Sequence, residues 1–370
     1  MRRTILSVMV GVVLAGSAAA ETRVGVTAEL LSGLASGPHL ESWTLAPAGS
    51  AELSLRNTGS RLVRAELLLR FAAGAPSGAP ELRRLYARAA LGETLVTVGR
   101  TRSSWGAGLA LNAGDIIFGS SSVDFSLRAA DPRTETAWLT SVEIPFGDFS
   151  FVEVIALAGS PDLTNPSAPV PPAVDETSAG GRVNLAAGNA TIQAGYLYRG
   201  DRIAGLGETG HHAYLTAEGF VPVNWHVSAS ARTPVGRWDA ATVRESLTVS
   251  VGAFDDAALP ADRALSWQVE AIVRALGSFE PRAGAGAGDY AVFVFPGVGL
   301  TPRAGLSVAL SSLVSPVDLS STSTLSVSWS IYEALTLLGY ASVAAGDADD
   351  LFSVRRPGAI SVLAGARYVY

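Results

Sequence analysis

Charged side chains recur at even spacings on two neighbouring segments, and they carry the clearest chemistry in the chain. Arg64, Glu66 and Arg70 lie on the first segment, and Arg84 and Arg88 lie on the second. Guanidinium groups stay charged at physiological pH, and charged side chains that line a water-filled passage select the ions that enter it. The spacing predicts a basic wall that selects ions or, as the simpler alternative, arginines that pair with carboxylates in a wet interior.

A second polar row lies on one later segment. Gln268, Glu270 and Arg274 alternate there with large apolar residues, and Ile272 breaks the alternation. Because successive side chains of a strand point to opposite faces, the three polar residues share one face. We expect them to line the same interior as the arginines. The face on which Arg100 lies is ambiguous, because apolar residues stand at even spacings from it.

Catalytic signatures are weak. His226 and Ser228 stand two positions apart, which puts a general base beside a hydroxyl on one face of a strand. The pair resembles the His-x-Ser of the outer-membrane phospholipase barrel, in which the base activates the serine. The Asn-Gly that follows in that family is missing, and the alternation turns the pair toward the interior rather than toward lipid. Adjacent His211 and His212 point to opposite faces of a strand, so they are a poor pair of metal ligands. We predict no catalytic residue, no metal site and no cofactor.

Alternation of period two runs through most of the chain. Apolar positions are two apart rather than three or four, which disfavours helices. Many segments exceed the usual strand of about 5–6 residues and match the roughly 9–11 residues that a tilted strand needs to cross a bilayer. Barrels of single bacterial chains have even strand numbers, so we predict 16 or 18 strands, with the candidates near residues 22 and 177 the weakest. The eighteen candidates begin near residues 22, 48, 61, 81, 92, 134, 149, 177, 188, 211, 222, 242, 263, 288, 301, 321, 334 and 357.

The faces of these strands decide between two folds. A sheet that crosses hydrocarbon must close on itself, since an open edge would leave backbone groups without partners. Its apolar rows then face lipid and its polar rows face water. Aromatic residues in or near the segment ends fit a membrane–water boundary. We therefore predict an all-β, antiparallel up-and-down transmembrane barrel; the alternative is a soluble β-sandwich. The aromatic residues are Tyr196, Tyr198, Trp225, Trp267, Tyr290, Trp329, Tyr340, Tyr368 and Tyr370.

The composition excludes several classes of protein. The chain has 370 residues, of which 48% are hydrophobic and only 16% charged, with a formal net charge of −6 and no cysteine. Ordinary globular chains carry about 25% charged residues, and chains this apolar are not disordered. The acidic balance gives no basic footprint for nucleic acid. The missing cysteine excludes disulfide scaffolds and thiolate metal sites.

The first twenty residues have the layout of a secretory signal peptide. Arg2 and Arg3 precede an apolar run over residues 5–14, and small residues end the stretch at Ala20. We expect cleavage after Ala20, which leaves residues 21–370 as a single barrel domain. An N-terminal anchor helix is the alternative, but the run is short for a membrane span.

The chain ends in an apolar row with aromatic residues. Counting back in twos from Tyr370 gives Tyr368, Ala366, Ala364 and Val362. This row resembles the terminal strand of bacterial outer-membrane proteins, in which the final aromatic residue is recognised by the insertion machinery. The resemblance implies a place in the bacterial outer membrane, with Tyr368 and Tyr370 as the insertion signal.

A long connection, residues 103–132, follows the segment that starts near residue 92. Connections of this length are usually functional or disordered. We expect it to fold into the barrel mouth and narrow the passage, with its aspartates facing the basic wall; a surface position outside the barrel is the open alternative. The constriction candidates are Trp105, Asn112, Asp115, Asp124 and Asp131. The stretch from Val98 to Phe118 resembles part of several porin-like outer-membrane families in its Gly-Arg, Trp-Gly and Asn-x-x-Asp, and departs from them at Thr101 and Ala113.

Together these features predict a passive, porin-like outer-membrane channel for small hydrophilic solutes or ions. The alternatives are a plugged or structural barrel or adhesin, and an outer-membrane lipid hydrolase. The expected partners are outer-membrane lipids, the insertion machinery and the solutes. Nucleic acid is not expected, and formation of a homo-oligomer is left open.

Overall fold

The computed structural model describes residues 22–57, 62–72, 80–119, 135–158, 178–200, 209–237, 239–282, 284, 286 and 288–370. The predicted signal peptide and the constriction candidates Asp124 and Asp131 lie outside the described residues.

Most of the described chain is β-strand. Helix α1 (Ala240–Glu245) is capped by Asp239, whose carboxylate accepts the Thr242 N–H at 2.8 Å. No helix in the described part of the chain is long and apolar enough to span a membrane. The strands are β1 (Thr22–Ser36), β2 (Trp43–Leu45), β3 (Ala48–Asn57), β4 (Val63–Ala72), β5 (Glu81–Leu91), β6 (Thr94–Thr101), β7 (Ala137–Gly147), β8 (Ser150–Ala158), β9 (Ser178–Ala187), β10 (Ala190–Arg199), β11 (Gly210–Phe220), β12 (Asn224–Thr233), β13 (Thr248–Leu259), β14 (Arg263–Arg274), β15 (Val292–Arg303), β16 (Leu306–Ser315), β17 (Ser320–Tyr332), β18 (Leu335–Ala345) and β19 (Ile360–Val369).

The strands form one closed antiparallel ring. β1 pairs with both β3 and β19, and from β3 onward each strand pairs with the next strand in the chain. The short strand β2 pairs with β1 just beyond β3, at Leu34 and Leu45, so it extends the β3 side of that ladder. The ring therefore has 18 places, which confirms the predicted barrel and selects 18 strands over 16. The two weakest candidates, near residues 22 and 177, are β1 and β9.

The last strand closes the ring against the first. Tyr370 N donates to Val26 O at 2.8 Å, and Val26 N donates to Tyr370 O at 2.9 Å. Inside the same seam, Arg367 and Glu29 form an ion pair at 2.7 Å. The side chains of Tyr368 and Tyr370 are 48% and 79% exposed, so the C-terminal aromatic residues lie at the surface of this seam.

The two ends of the barrel differ in the length of their connections. At the short-turn end, strands are joined by residues 92–93, 148–149 and 188–189, among others. The long-loop end carries connections such as residues 234–247 and 275–291. Outer-membrane barrels have short turns on the periplasmic side and longer loops on the extracellular side.

Apolar rows lie on the outside of the barrel. On β14, Trp267, Val269 and Val273 are exposed, whereas Glu270 on the opposite face is buried. This arrangement excludes the soluble β-sandwich, whose apolar rows would be enclosed. Eight exposed aromatic side chains lie toward the short-turn end: Phe146, Phe149, Phe220, Trp267, Trp329, Tyr332, Tyr368 and Tyr370. Four others, Trp43, Phe71, Tyr196 and Phe279, lie toward the long-loop end.

Two aromatic residues depart from the predicted boundary position. Tyr290 is fully buried and packs in an interior cluster with Phe293 and Leu351. Tyr340 packs against the interior cluster that contains Leu338. Both serve packing inside the ring, which alternation alone does not reveal.

Candidate functional site

Part of the connection between β6 and β7 folds into the barrel. Its described part, residues 102–119, is here called the inner lobe. Trp105, Ala110 and Ile117 are each 0% exposed. They pack against inward-facing apolar residues of β7, β8 and β10 and, at the tip, of β14 to β16. Of the two positions that the sequence leaves open, the described residues take the inner one.

The tip of the inner lobe is bound by a buried carboxylate. The backbone N–H of Leu109 donates to Glu270 Oε1 at 2.6 Å, and those of Ala110 and Leu111 donate to Oε2 at 2.8 and 2.5 Å. Glu270 is 1% exposed, and His226 Nε2 lies 3.5 Å from its Oε1. Hydrogen bonds to a charged acceptor are the stronger kind, so three of them fix the tip on β14.

The base of the inner lobe is held by an indole. Trp105 Nε1 donates to Glu153 Oε2 at 3.0 Å, and Arg182 Nε donates to the same oxygen at 2.7 Å. The Trp105 ring stacks on Tyr214 with 5.8 Å between the centroids. The guanidinium of Arg182 lies 5.9 Å from the Trp105 centroid. Residues of strands β8, β9 and β11 thus all contact Trp105 and anchor the lobe through it.

The returning limb of the inner lobe is held by its carbonyl and amide groups. Arg199 on β10 donates through one terminal nitrogen to the carbonyl oxygens of Ile116, at 2.5 Å, and Ile117. Ala113 N donates to Ser250 Oγ on β13 at 2.9 Å. With the tip and base contacts and a bond from Ser228 to Ala107 O, the lobe is bonded to β8, β10, β12, β13 and β14, on one side of the ring.

Asn112 and Asp115 stabilise the fold of the lobe itself. Asn112 Nδ2 donates to Trp105 O at 3.0 Å, and its Oδ1 accepts the Gly114 N–H at 2.9 Å. Asp115 Oδ1 accepts the Phe118 N–H at 3.2 Å, and the residue is 2% exposed. Its carboxylate is therefore enclosed, and it does not face the arginines across the lumen as the sequence led us to expect.

Five inward arginines of β3 to β5 form what is here called the arginine wall: Arg56, Arg64, Arg70, Arg84 and Arg88. Glu66 is its centre, because its Oε1 lies 3.3 Å from Arg56 Nε and 3.6 Å from Arg84 NH1. Tyr86 OH donates to Glu66 Oε2 at 3.1 Å. Arg70 Nε lies 3.9 Å from Glu52 Oε1, and Arg64 stands in register with Arg88. The predicted charges of β4 and β5 thus lie together, and carboxylates neutralise only part of them.

Water reaches the arginine wall. The side chains of Arg56, Arg84 and Arg70 are 56%, 38% and 30% exposed, although they point into the barrel. Arg56 and Tyr86 were not singled out from the sequence. The alternation of polar and apolar residues along β3 and β5 was the signal that could have found them.

The second predicted row faces inward, but the inner lobe covers part of it. Gln268, Glu270 and Arg274 share one face of β14, and Arg274 places its guanidinium 5.5 Å from the Phe293 ring centroid. Glu270 binds the lobe rather than lining open space. The ambiguous Arg100 pairs in register with Leu85 and belongs to the outward row.

Apolar residues at inward positions mark the seat of the lobe. Ile272, the break in the alternation of β14, is fully buried against Ala110 and Leu111. Leu157 and Leu197 do the same beside Trp105. The break in the alternation at Ile272 therefore marks a packing surface inside the ring. The sequence shows the break but not the segment that packs there.

The His226–Ser228 pair is not arranged as a nucleophile and its base. Ser228 Oγ accepts from Thr216 Oγ1 at 2.9 Å and donates to Ala107 O of the lobe at 3.2 Å. Both residues are buried, His226 at 3% and Ser228 at 0% exposure, beneath the lobe. This arrangement disfavours the lipid hydrolase. Within the described ranges, no group of three or more histidine or acidic side chains is placed to hold a metal ion.

Comparison with known proteins supports the fold. No protein-family model matches the chain, and no curated protein does. The chain is similar to Wzi of Escherichia coli, a carbohydrate-binding β-barrel of the outer membrane involved in group 1 capsule assembly, with a TM-score of 0.60 and 13% identity over 98% of this chain and 87% of that one. It is also similar to OccAB4 of Acinetobacter baumannii, with a TM-score of 0.56 and 8% identity over 95% and 98% of the two chains. This likeness supports the closed β-barrel fold of the chain.

Proposed function

We propose that the protein is a porin-like channel of the bacterial outer membrane, through which small hydrophilic solutes or ions diffuse without turnover chemistry. The difference in exposure to water between the two sides of the barrel's inner wall supports this proposal. Glu153, Ser228 and Glu270 are at most 5% exposed beneath the inner lobe, whereas the arginine wall is wet. The lobe lies against β7 to β16 and leaves the passage along β3 to β5. An 18-strand barrel is wide enough to hold an aqueous channel.

The arginine wall gives the proposed channel a preference for anions. Of its five guanidinium groups, those of Arg56 and Arg84 share Glu66 and that of Arg70 pairs with Glu52, so the described wall carries more positive than negative charge facing water. Charged rings of one sign raise the local concentration of ions of the opposite sign. The preference for anions comes from the arginine wall, since Asp115 is enclosed and does not face the passage.

Reversal potentials across a KCl gradient test this selectivity. Arg84→Glu combined with Arg88→Glu reverses the charge of the wall and should shift the preference toward cations. The control pair, Arg237→Glu with Arg244→Glu, makes the same change of charge in the connection between β12 and β13 and should leave the reversal potential unchanged. An unchanged potential in the wall variant would refute the assignment.

We place the barrel in the bacterial outer membrane, after cleavage of residues 1–20 as a signal peptide. Exposed apolar rows around the ring and exposed aromatic side chains near the short-turn end support it. The exposed C-terminal pair Tyr368 and Tyr370, on the seam between β1 and β19, supports its proposed use as the insertion signal.

A further inference from the structure

A cavity of about 340 Å³ opens at the long-loop end, between the returning limb of the inner lobe and strands β10 to β14. It is here called the vestibule cavity. The lobe contributes Ala113, Asp115 and Ile116 to its lining. The strands contribute Arg199, His212, Arg232, Thr248 and Arg274. Its size is in the range of pockets that take small molecules.

The vestibule cavity is separate from the arginine wall. Its central strand β12 stands eight places from β4 in the ring of 18, which is nearly opposite. The inner lobe forms one side of the cavity. A ligand held there contacts a different set of arginines from those that face the open passage.

Register brings the basic side chains of the cavity onto one face. His212 pairs with Arg232 between β11 and β12, and Thr248 pairs with Arg274 between β13 and β14. Residues paired in register share a face of the sheet, so these four side chains point into the barrel together. The chain has 27 arginines and no lysine, and the guanidinium fork matches the oxygens of carboxylate and phosphate.

Arg199 adds a buried donor. It is 5% exposed, and one terminal nitrogen holds the lobe carbonyls of Ile116 and Ile117. Its Nε has no hydrogen-bond partner among the described residues. Burying a donor without an acceptor is unfavourable, and an added oxyanion would supply the acceptor.

The charge of the cavity is positive. Among the described residues, three arginines and one histidine line it together with a single acid, Asp115. Asp115 accepts from the Phe118 N–H and from Ser104 Oγ at 3.4 Å, and its charge also acts on Arg199, so one carboxylate faces three guanidinium groups. Glu245 lies in a neighbouring hollow together with Arg232.

We infer that the vestibule cavity binds a small oxyanion, a carboxylate or a phosphate, between Arg199, Arg232 and Arg274. The site goes beyond the proposed channel function, because binding there does not require the lumen to conduct. It holds the anion at the long-loop end, before any entry into the passage.

Isothermal titration of the detergent-purified full chain tests the site. Inorganic phosphate and succinate are titrated separately, with glucose as the neutral control. We expect saturable binding of at least one anion and none of glucose. Phosphate alone or succinate alone identifies the preferred oxyanion; absence of binding for both overturns the inference.

Matched variants locate the binding. Arg232→Gln with Arg274→Gln should raise the Kd at least about tenfold, because each removes a charge-assisted hydrogen bond. Arg64→Gln with Arg88→Gln removes the same charge from the arginine wall and should leave the Kd unchanged. Equal weakening in both pairs, or no change in the first pair, overturns the inference.

Two further measurements distinguish a loss of anion binding from a loss of folding and from a loss of conductance. If heat-modified gel migration shows that the first pair does not fold, Arg232→Lys replaces it; that variant keeps the charge, loses the fork and should still weaken binding. Conductance of the same samples separates the two proposals. Anion binding without conductance leaves the vestibule site and removes the channel, and conductance without anion binding does the reverse.

Discussion

At the scale of the residue, Glu270 is the contact on which the position of the inner lobe depends most. Its two oxygens accept three backbone N–H groups from residues about 160 positions earlier in the chain. Glu270→Gln keeps the shape of the side chain but replaces one oxygen by a donor. At least one buried N–H then lacks an acceptor, at a cost of about 1–3 kcal/mol.

We predict faster amide exchange at Leu109, Ala110 and Leu111 in the Glu270→Gln variant, measured by hydrogen–deuterium exchange. Glu52→Gln is the matched control, because Glu52 is half-exposed and its pairing with Arg70 at 3.9 Å is an exposed ion pair of about 0–1 kcal/mol. Equal exchange in the variant and the wild type would contradict the role of Glu270.

The facing of such residues could be predicted from the sequence, but their partners could not. Alternation places Glu270 and Arg84 on the inner face because it is a local property of a strand. Arg84 stays in contact with water, whereas Glu270 is covered by a segment far away in sequence. Asp115 shows the same limit: its type and loop position fitted an acidic pore edge, and its hydrogen bonds instead close the lobe.

At the scale of the element, the two limbs of the inner lobe approach each other through glycines. A Cβ on Gly106, which has a φ of +76°, would lie 2.6 Å from Gly114 Cα. Gly92, in the turn between β5 and β6, has a similar φ of +66° with open space around it. Alanine is strained at both positions, but it meets backbone only at Gly106.

We predict that Gly106→Ala exposes the lobe to limited proteolysis in detergent, whereas Gly92→Ala leaves it resistant. Both variants carry the same conformational penalty, so the difference between them isolates the close approach of the limbs. Equal resistance of the two variants would show that the limbs do not need this contact.

The turn between β16 and β17 is tied to the connection between β18 and β19 by Asp318. Its Oδ2 accepts the Leu351 N–H at 2.7 Å, and its Oδ1 accepts Ser320 N and Oγ at 3.2 and 2.9 Å. Partial burial raises the pKa of Asp318, but hydrogen bonds from Leu351 and two serines outweigh it and hold the pKa below its usual value.

A depressed carboxylate pKa stabilises the fold above the unfolded pKa of about 3.9, and that contribution is lost as pH falls through the folded value. We predict that protection of the Leu351 amide, corrected for intrinsic exchange, falls as the pH drops below about 4. Asp318→Asn should lower this protection at pH 6 and remove its pH dependence. A wild-type protection that stays constant down to pH 2 would contradict this account.

The strands themselves could be predicted almost completely. All 18 places in the ring correspond to candidates from the sequence, and the largest difference is at β13, expected near residue 242 and observed from Thr248. The reason is Asp239, which caps helix α1 where the pattern suggested strand. The inner lobe could not be placed in this way, because its contacts join it to strands far away in the chain.

At the scale of the whole molecule, the interior of the ring is asymmetric. The inner lobe builds an apolar core against one side, with Trp105 and Ile272 fully buried. The arginine wall stays wet on the other side. The sequence predicts a closed barrel with a polar interior, but not that half of the inner wall serves as a packing surface.

Single-channel recording of the refolded protein in planar bilayers tests whether the barrel conducts ions. An open passage along the arginine wall predicts discrete conductance steps that are ohmic in KCl. Heat-modified migration on a gel shows independently whether the barrel has formed. An intact barrel that produces no steps would mean that the inner lobe closes the lumen, and the protein would then be a plugged or structural barrel rather than a channel.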